Sequence, residues 1–165
     1  MSLFGAGWTL GSVKYLAESD AASVTYFETT GWQGVLETET GSPEPALFPS
    51  RPGEVFPLYH VLADLAELRD AELVAVASSD PFSVEALALR DAAGLHLLLA
   101  NLTPEPREVA LELPSGRTAQ MRRLNDRSVA SATATSQDFR RSGTPLDQPV
   151  IALAPFEVVR IDTNT

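Results

Sequence analysis

Leu95-His96-Leu97-Leu98-Leu99-Ala100-Asn101, followed across a Thr103-Pro104-Glu105-Pro106 turn by Arg107-Glu108-Val109-Ala110-Leu111-Glu112-Leu113, decides the fold class. The second run alternates apolar and polar residues, the period of a strand with one covered face, so Val109, Leu111 and Leu113 point inward. The first is apolar on both faces and belongs at the centre of a sheet. Working outward, strand-like runs occupy Leu73–Ser78, Ser83–Arg90, Thr118–Leu124, Val150–Leu153 and Val158–Asp162. Turn signals separate them at Ser79-Asp80-Pro81, Asp91-Ala92-Ala93-Gly94, Pro114-Ser115-Gly116 and Ala154-Pro155. Short strands recurring at roughly ten to twelve residues predict a two-layer antiparallel sandwich over 73–162. Leu97, Leu99, Val109, Leu111, Val158 and Ile161 are its expected core. The polar stretch Ser128–Gln148 reads as a connection with a helical turn near Gln137–Arg141.

The first seventy residues have a different pattern. Apolar residues at helical spacing (Trp8, Leu10, Val13, Leu16, Ala17) predict a helix from Trp8 to about Glu18. Ala22-Ser23-Val24-Thr25-Tyr26-Phe27-Glu28 is β-branched and aromatic, the composition of a strand. A proline-rich loop, Thr29–Phe56, follows, and a loop of that length is usually functional or disordered. Pro57 suits a first helical turn, and Leu58, Val61, Leu62, Leu65 and Leu68 stripe one face to about Arg69. The expected class is therefore α+β, a mainly antiparallel β-sandwich at 72–165 preceded by a helix–strand–helix segment at 1–71. One strand between two helices leaves both edges unpaired. Missing strands, the sandwich or a second copy of the chain must cover it.

The 165 residues contain no Cys, which excludes disulfides, thiolate nucleophiles and Cys-based zinc sites and is compatible with a cytoplasmic location. A formal net charge of −10 without a basic face argues against nucleic acid. No signal peptide is expected at Met1-Ser2-Leu3-Phe4-Gly5. The longest apolar run, Leu95–Ala100, is far shorter than the about 20 residues that span a bilayer, so no membrane partner is expected.

Several stretches carry a resemblance. Gly7-Trp8-Thr9-Leu10-Gly11-Ser12-Val13-Lys14-Tyr15-Leu16 resembles the penultimate helix of a (β/α)8 barrel. Ala22–Trp32 resembles its eighth strand and catalytic-face loop, and Phe56–Leu65 its last helix. Leu153-Ala154-Pro155-Phe156-Glu157-Val158-Val159-Arg160-Ile161 is similar to the closing hairpin of the sandwich appended to many clan-A glycoside hydrolases. Tyr26-Phe27-Glu28-Thr29-Thr30-Gly31-Trp32, with Phe56–His60 and Leu99-Ala100-Asn101-Leu102-Thr103-Pro104, resembles the C-terminal region of the D-apionate lactonase family. That family joins a glycosidase-like barrel to a β-sandwich and opens a sugar-acid lactone. The resemblance also implies that the catalytic carboxylates, on strands four and seven of the clan-A barrel, lie in segments this chain does not contain.

By the same resemblance, Tyr26, Glu28, Thr29 and Trp32 would face the substrate at a strand end, where a carboxylate binds sugar hydroxyls and an indole stacks on a sugar face. Glu37, Glu39 and Glu44 in the loop read as solvated acids, and His60 and His96 as structural. Arg122-Arg123 and Arg140-Arg141 read as surface charges. No catalytic residue, metal or cofactor is expected in the chain. The leading expectation is a non-catalytic C-terminal portion of a carbohydrate-active hydrolase or sugar-acid lactonase, its sandwich stabilising a barrel and a sugar or sugar acid as the ligand. The alternative is an independent glycan-binding or subunit-assembly module. The apolar surface of the first segment points to a homodimer wherever no barrel covers it.

Overall fold

β3 (Gly94–Asn101) owes its unbroken apolar run to being covered on both sides. Leu97 and Leu99 enter one core cluster, Leu98 and Ala100 the other. The computed structural model describes residues 2–19, 21–113 and 118–164. In chain order the elements begin with α1 (Leu3–Ala17), α2 (Pro57–Glu67), β1 (Glu72–Val74), β2 (Val84–Arg90) and β3. They continue with β4 (Arg107–Ala110), β5 (Ala119–Leu124), α3 (Val129–Ala134), α4 (Ser136–Arg141), β6 (Thr144–Pro145), β7 (Val150–Leu153) and β8 (Val158–Asn164).

The large sheet has the order β1-β2-β3-β8-β5-β6, and β4 pairs with β7 in a small second sheet. Every strand pair is antiparallel, with Ala88 opposite Leu97 and Leu97 opposite Ile161 at the centre. The small sheet closes the sandwich, where Leu97, Leu99, Leu111, Ile151, Leu153, Val159 and Ile161 interdigitate. On the opposite face of the large sheet lie the helices, with Ala6, Leu10, Leu58, Val61, Ala132 and Phe139 packed against Leu87, Leu98 and Val158. The result is an antiparallel sandwich after a helical segment, with the helices forming a third layer on its outside.

Four differences from the sequence reading have physical causes. Val158 faces the helices, because side chains alternate along a strand and Val159 and Ile161 already take the sandwich face. The stretch 128–148 holds two short helices and β6, which bury Ala132 and Phe139 under the helical layer. α1 begins at Leu3, earlier than Trp8, and is capped by Ser2, whose Oγ accepts from the Gly5 N–H at 3.1 Å. Its sheet-facing side is made of Ala6, Gly7, Leu10 and Gly11, and a Cβ at Gly7 would stand 3.3 Å from that of Ala100. Trp8 faces away and is 53% exposed.

The fourth difference is the strand expected at Ala22–Glu28. The segment joins no sheet, with bends at Ala22 and Phe27, and its residues are exposed apart from the half-buried Tyr26. Strand composition cannot supply a ladder where no neighbouring strand is at hand. The turn expected at Pro114-Ser115-Gly116 lies outside the described residues.

Candidate functional site

The segment holding the four predicted pocket residues is built from α1 outward. The Tyr26 hydroxyl lies 2.6 Å from Ser12 Oγ on α1, and the Phe27 ring stacks on that of Tyr26 at 5.6 Å. Phe27 has φ +54°, a left-handed conformation unusual for a bulky side chain, and there the chain turns into the loop. The Glu28 N–H donates to the Gln33 carbonyl at 3.3 Å, and the Thr29 carbonyl accepts from Val35 and Leu36 at 3.2 and 3.3 Å. Gly34 must be glycine in this tight turn, because a Cβ there would lie 2.7 Å from the Thr30 nitrogen. At the tip Trp32 is 46% exposed, its ring 4.9 Å from that of Phe48 in an edge-on contact.

Under the turn sits Glu37, which is buried and not solvated as the sequence suggested. Its carboxylate accepts from Ser50 Oγ and, at 2.8 Å, from the Thr38 N–H. These two bonds hold its pKa below the usual carboxylate range against the opposing effect of burial. Glu37 N–H donates to the Glu54 carbonyl at 2.7 Å, and Phe56 N–H to that of Val35 at 2.9 Å. The 29–56 loop is therefore organised around one buried carboxylate. Glu39 and Glu44 are exposed.

The four predicted pocket residues thus share one stretch of chain but rest on different supports. Tyr26 leans on α1 and Trp32 on Phe48. Glu28 and Thr29 are exposed, and among the described residues neither side chain has a hydrogen-bond partner. A free carboxylate can bind sugar hydroxyls and an exposed indole can stack on a sugar face. Hydrolysis of a glycosidic bond takes a second carboxyl group, and Glu37 is committed to the loop. Among the described residues no three His, Cys, Asp or Glu side chains converge as metal ligands.

The most charged buried cluster was not legible as one. Asp64 on α2 is buried and pairs through Oδ1 with Arg122, with Arg140 at 2.8 Å and with Arg160 at 2.9 Å. Glu67, one turn later, takes Arg140 and Arg160, each at 2.6 Å. Burial works to raise the Glu67 pKa, but the two guanidinium groups outweigh it and hold the carboxyl below its ordinary range. Arg122 and Arg140 are therefore buried partners and not surface charges. Arg123 is half-buried, and its Nε and Nη2 each donate to the buried Glu157 at 2.7 Å. Among the described residues, Arg141 alone of these two pairs is exposed with no acidic partner.

His60 and His96 are both buried. His60 Nε2 donates to the Ala132 carbonyl at 3.0 Å, leaving Nδ1 with no partner among the described residues. His96 lies between Asp162 at 2.6 Å and Asp91 at 3.0 Å, and its bond keeps the Asp91 carboxyl below the usual range. Among the described residues, no helix is long and apolar enough to cross a membrane.

Two helices packed on the outer face of an immunoglobulin-like sandwich, with a structured loop between them, define a class: the end of a barrel joined to an appended sandwich. Within that class the chain belongs to the D-apionate lactonase family. The family model described as "D-apionate lactonase, TIM barrel domain" matches residues 1–70, and "D-apionate lactonase, C-terminal immunoglobulin-like domain" matches 81–161. The fold is similar to that of the glycoside hydrolase family 30 subfamily 8 xylanase Xyn30A from Clostridium acetobutylicum, with TM-score 0.67 at 9% identity. That match covers 99% of this chain and 40% of the xylanase. A conserved exported protein from Bacteroides fragilis is similar with TM-score 0.62 at 13% identity, over 96% of this chain and 33% of its own. At such identities the likeness shows the fold alone. No curated protein matches the chain in sequence.

Proposed function

We propose that this chain is the non-catalytic C-terminal portion of a carbohydrate-active hydrolase or sugar-acid lactonase, in which the sandwich, 72–165, stabilises a barrel through the segment 1–71. One observation carries the reading. Asp64 and Glu67 lie in the part matched by the barrel model, and Arg122, Arg140 and Arg160 lie in the part matched by the sandwich model. An ion cluster at that depth forms only if α2 and the sandwich keep a fixed register, because a slipped pairing would strand charges away from water. The same observation disfavours a freely tethered glycan-binding module. So does the composition, since all Trp and Tyr precede residue 60 and the sandwich has none to stack on a sugar.

In the complete barrel, Tyr26, Glu28, Thr29 and Trp32 would contribute one side of a pocket for a sugar or sugar acid, with the reacting acid and base supplied by other strand ends. The chain alone is expected to open an aldonolactone no faster than buffer does, followed by proton release at constant pH. Turnover above that rate, abolished by Glu28→Gln, would show that the chain itself is catalytic.

A further inference from the structure

The 29–56 loop has two arms, 29–38 and 48–56, and Leu36 of the first bridges Val55 of the second in antiparallel register. Backbone bonds join the arms near their bases, from Glu37 N–H to Glu54, from Gly53 N–H to Thr38 at 3.3 Å and from Phe56 N–H to Val35. The turn that carries Trp32 hangs on the first arm, where the Gly31 N–H donates to the Leu36 carbonyl at 2.8 Å. The ring of Trp32, however, rests on Phe48 of the second arm. Among the described residues, no backbone hydrogen bond ties 48–50 to the first arm. One side-chain hydrogen bond does, from Ser50 Oγ to the buried Glu37 carboxylate. Ser50 stands two residues beyond Phe48, and its Oγ lies 3.4 Å from the Phe48 carbonyl.

We infer that Glu37 is a positioning residue for the sugar-facing wall: through Ser50 it fixes Phe48, and through Phe48 it sets the place of the Trp32 ring before any ligand arrives. This rests on the reading of Trp32 as a pocket residue and adds what holds it there. Glu37 itself touches no ligand, since both of its oxygens are taken, one by Ser50 and one by the Thr38 N–H. The choice of a carboxylate has a physical reason. A hydroxyl bound to an ionised acceptor makes a shorter and stronger bond than one bound to a neutral amide. A buried charge also tolerates no arrangement of the loop that leaves it without donors, so it selects one conformation among the many open to a segment of this length. A wall ordered in advance binds without the cost of ordering its side chains on contact.

The test uses the whole chain carrying Trp8→Phe, which leaves Trp32 as the sole indole, and follows acrylamide quenching of its fluorescence at pH 7. Glu37→Gln keeps the size of the side chain and loses the charge, and Ser50→Ala removes the hydroxyl from the other end of the same bond. In both, the quenching constant should rise towards about twice that of the Trp8→Phe parent, the limit set by the present 46% exposure of the ring. Glu44→Gln, an exposed carboxylate on the same loop, should leave it unchanged. The urea midpoint of the sheet, read by far-ultraviolet dichroism, should stay with that of the parent in Ser50→Ala. Should Glu37→Gln fail to fold, Ser50→Ala decides the matter by itself. Trp32 no more accessible in Ser50→Ala than in the parent overturns the inference. An equal rise in Glu44→Gln overturns it too, because the loop would then be loose throughout, and so does a rise accompanied by a lowered sheet midpoint in Ser50→Ala. None of these readouts involves turnover, so the positioning role can fail while the proposed function stands, and lactonase activity of the chain would overturn the latter alone.

Discussion

Asp64→Ala is expected to destabilise the protein by about 3–5 kcal/mol, the cost of breaking a buried ion cluster from one side. The carboxylate is central to three guanidinium groups on two strands and one helix, and its removal leaves Arg122, Arg140 and Arg160 facing one another. Asp64→Asn keeps the size and loses the charge, so it should fall between the wild type and the alanine variant. Glu67 touches two of the same arginines, but its side chain is 52% exposed. Glu67→Ala should therefore cost no more than about 1 kcal/mol, as exposed pairs do. Urea unfolding of the three variants at pH 7 and fixed salt checks the ranking. Equal losses at Asp64 and Glu67 would mean that the cluster is not held in register.

The second large effect depends on pH. Burial pushes His60 down to about 4 from its ordinary 6.5. The surroundings offer little to a proton there, because Nε2 already donates to Ala132 and Nδ1 faces no acceptor. Below pH 6.5 the unfolded chain gains a proton that the folded one refuses until about pH 4. The stability associated with the neutral ring is therefore fully present above 6.5 and lost as the pH falls towards 4, by up to about 3 kcal/mol. His60→Gln keeps a donor for the Ala132 carbonyl and removes the titration. Its stability, measured by urea unfolding between pH 4 and 7, should lose correspondingly less over that interval. An unchanged slope would place the acid sensitivity elsewhere.

What the sequence made legible was what periodicity encodes. The clean alternation of 107–113 and the two-sided apolar run of 95–101 located the small sheet and the centre of the large one. The stripe from Leu58 to Leu68 located α2. Periodicity did not reveal which polar residues are buried, because Asp64 and Glu37 need partners far away in the chain, on β5, α4 and β8 for one and at Ser50 for the other. A clue did exist: Asp64 interrupts an apolar stripe, and the sandwich half carries arginine in pairs. Val24, Tyr26 and Phe27 were read as strand because local composition says nothing about whether a neighbour is present. Of the candidate site, Glu28 and Trp32 are exposed, but the strand expected to end at Glu28 is not formed, and the carboxylate that organises the loop was mistaken for a solvated one.

Two optical probes divide the chain along the proposed boundary, which permits a direct test of the weld between barrel end and sandwich. Both tryptophans, Trp8 and Trp32, precede residue 72, whereas β1–β8 all follow Ala71. Urea unfolding followed at once by tryptophan fluorescence and by far-ultraviolet dichroism of the sheet should give a single transition with one midpoint. A fluorescence transition completed before the sheet begins to melt would contradict the account, because 1–71 would then be a loosely attached segment and not part of one rigid unit with the sandwich.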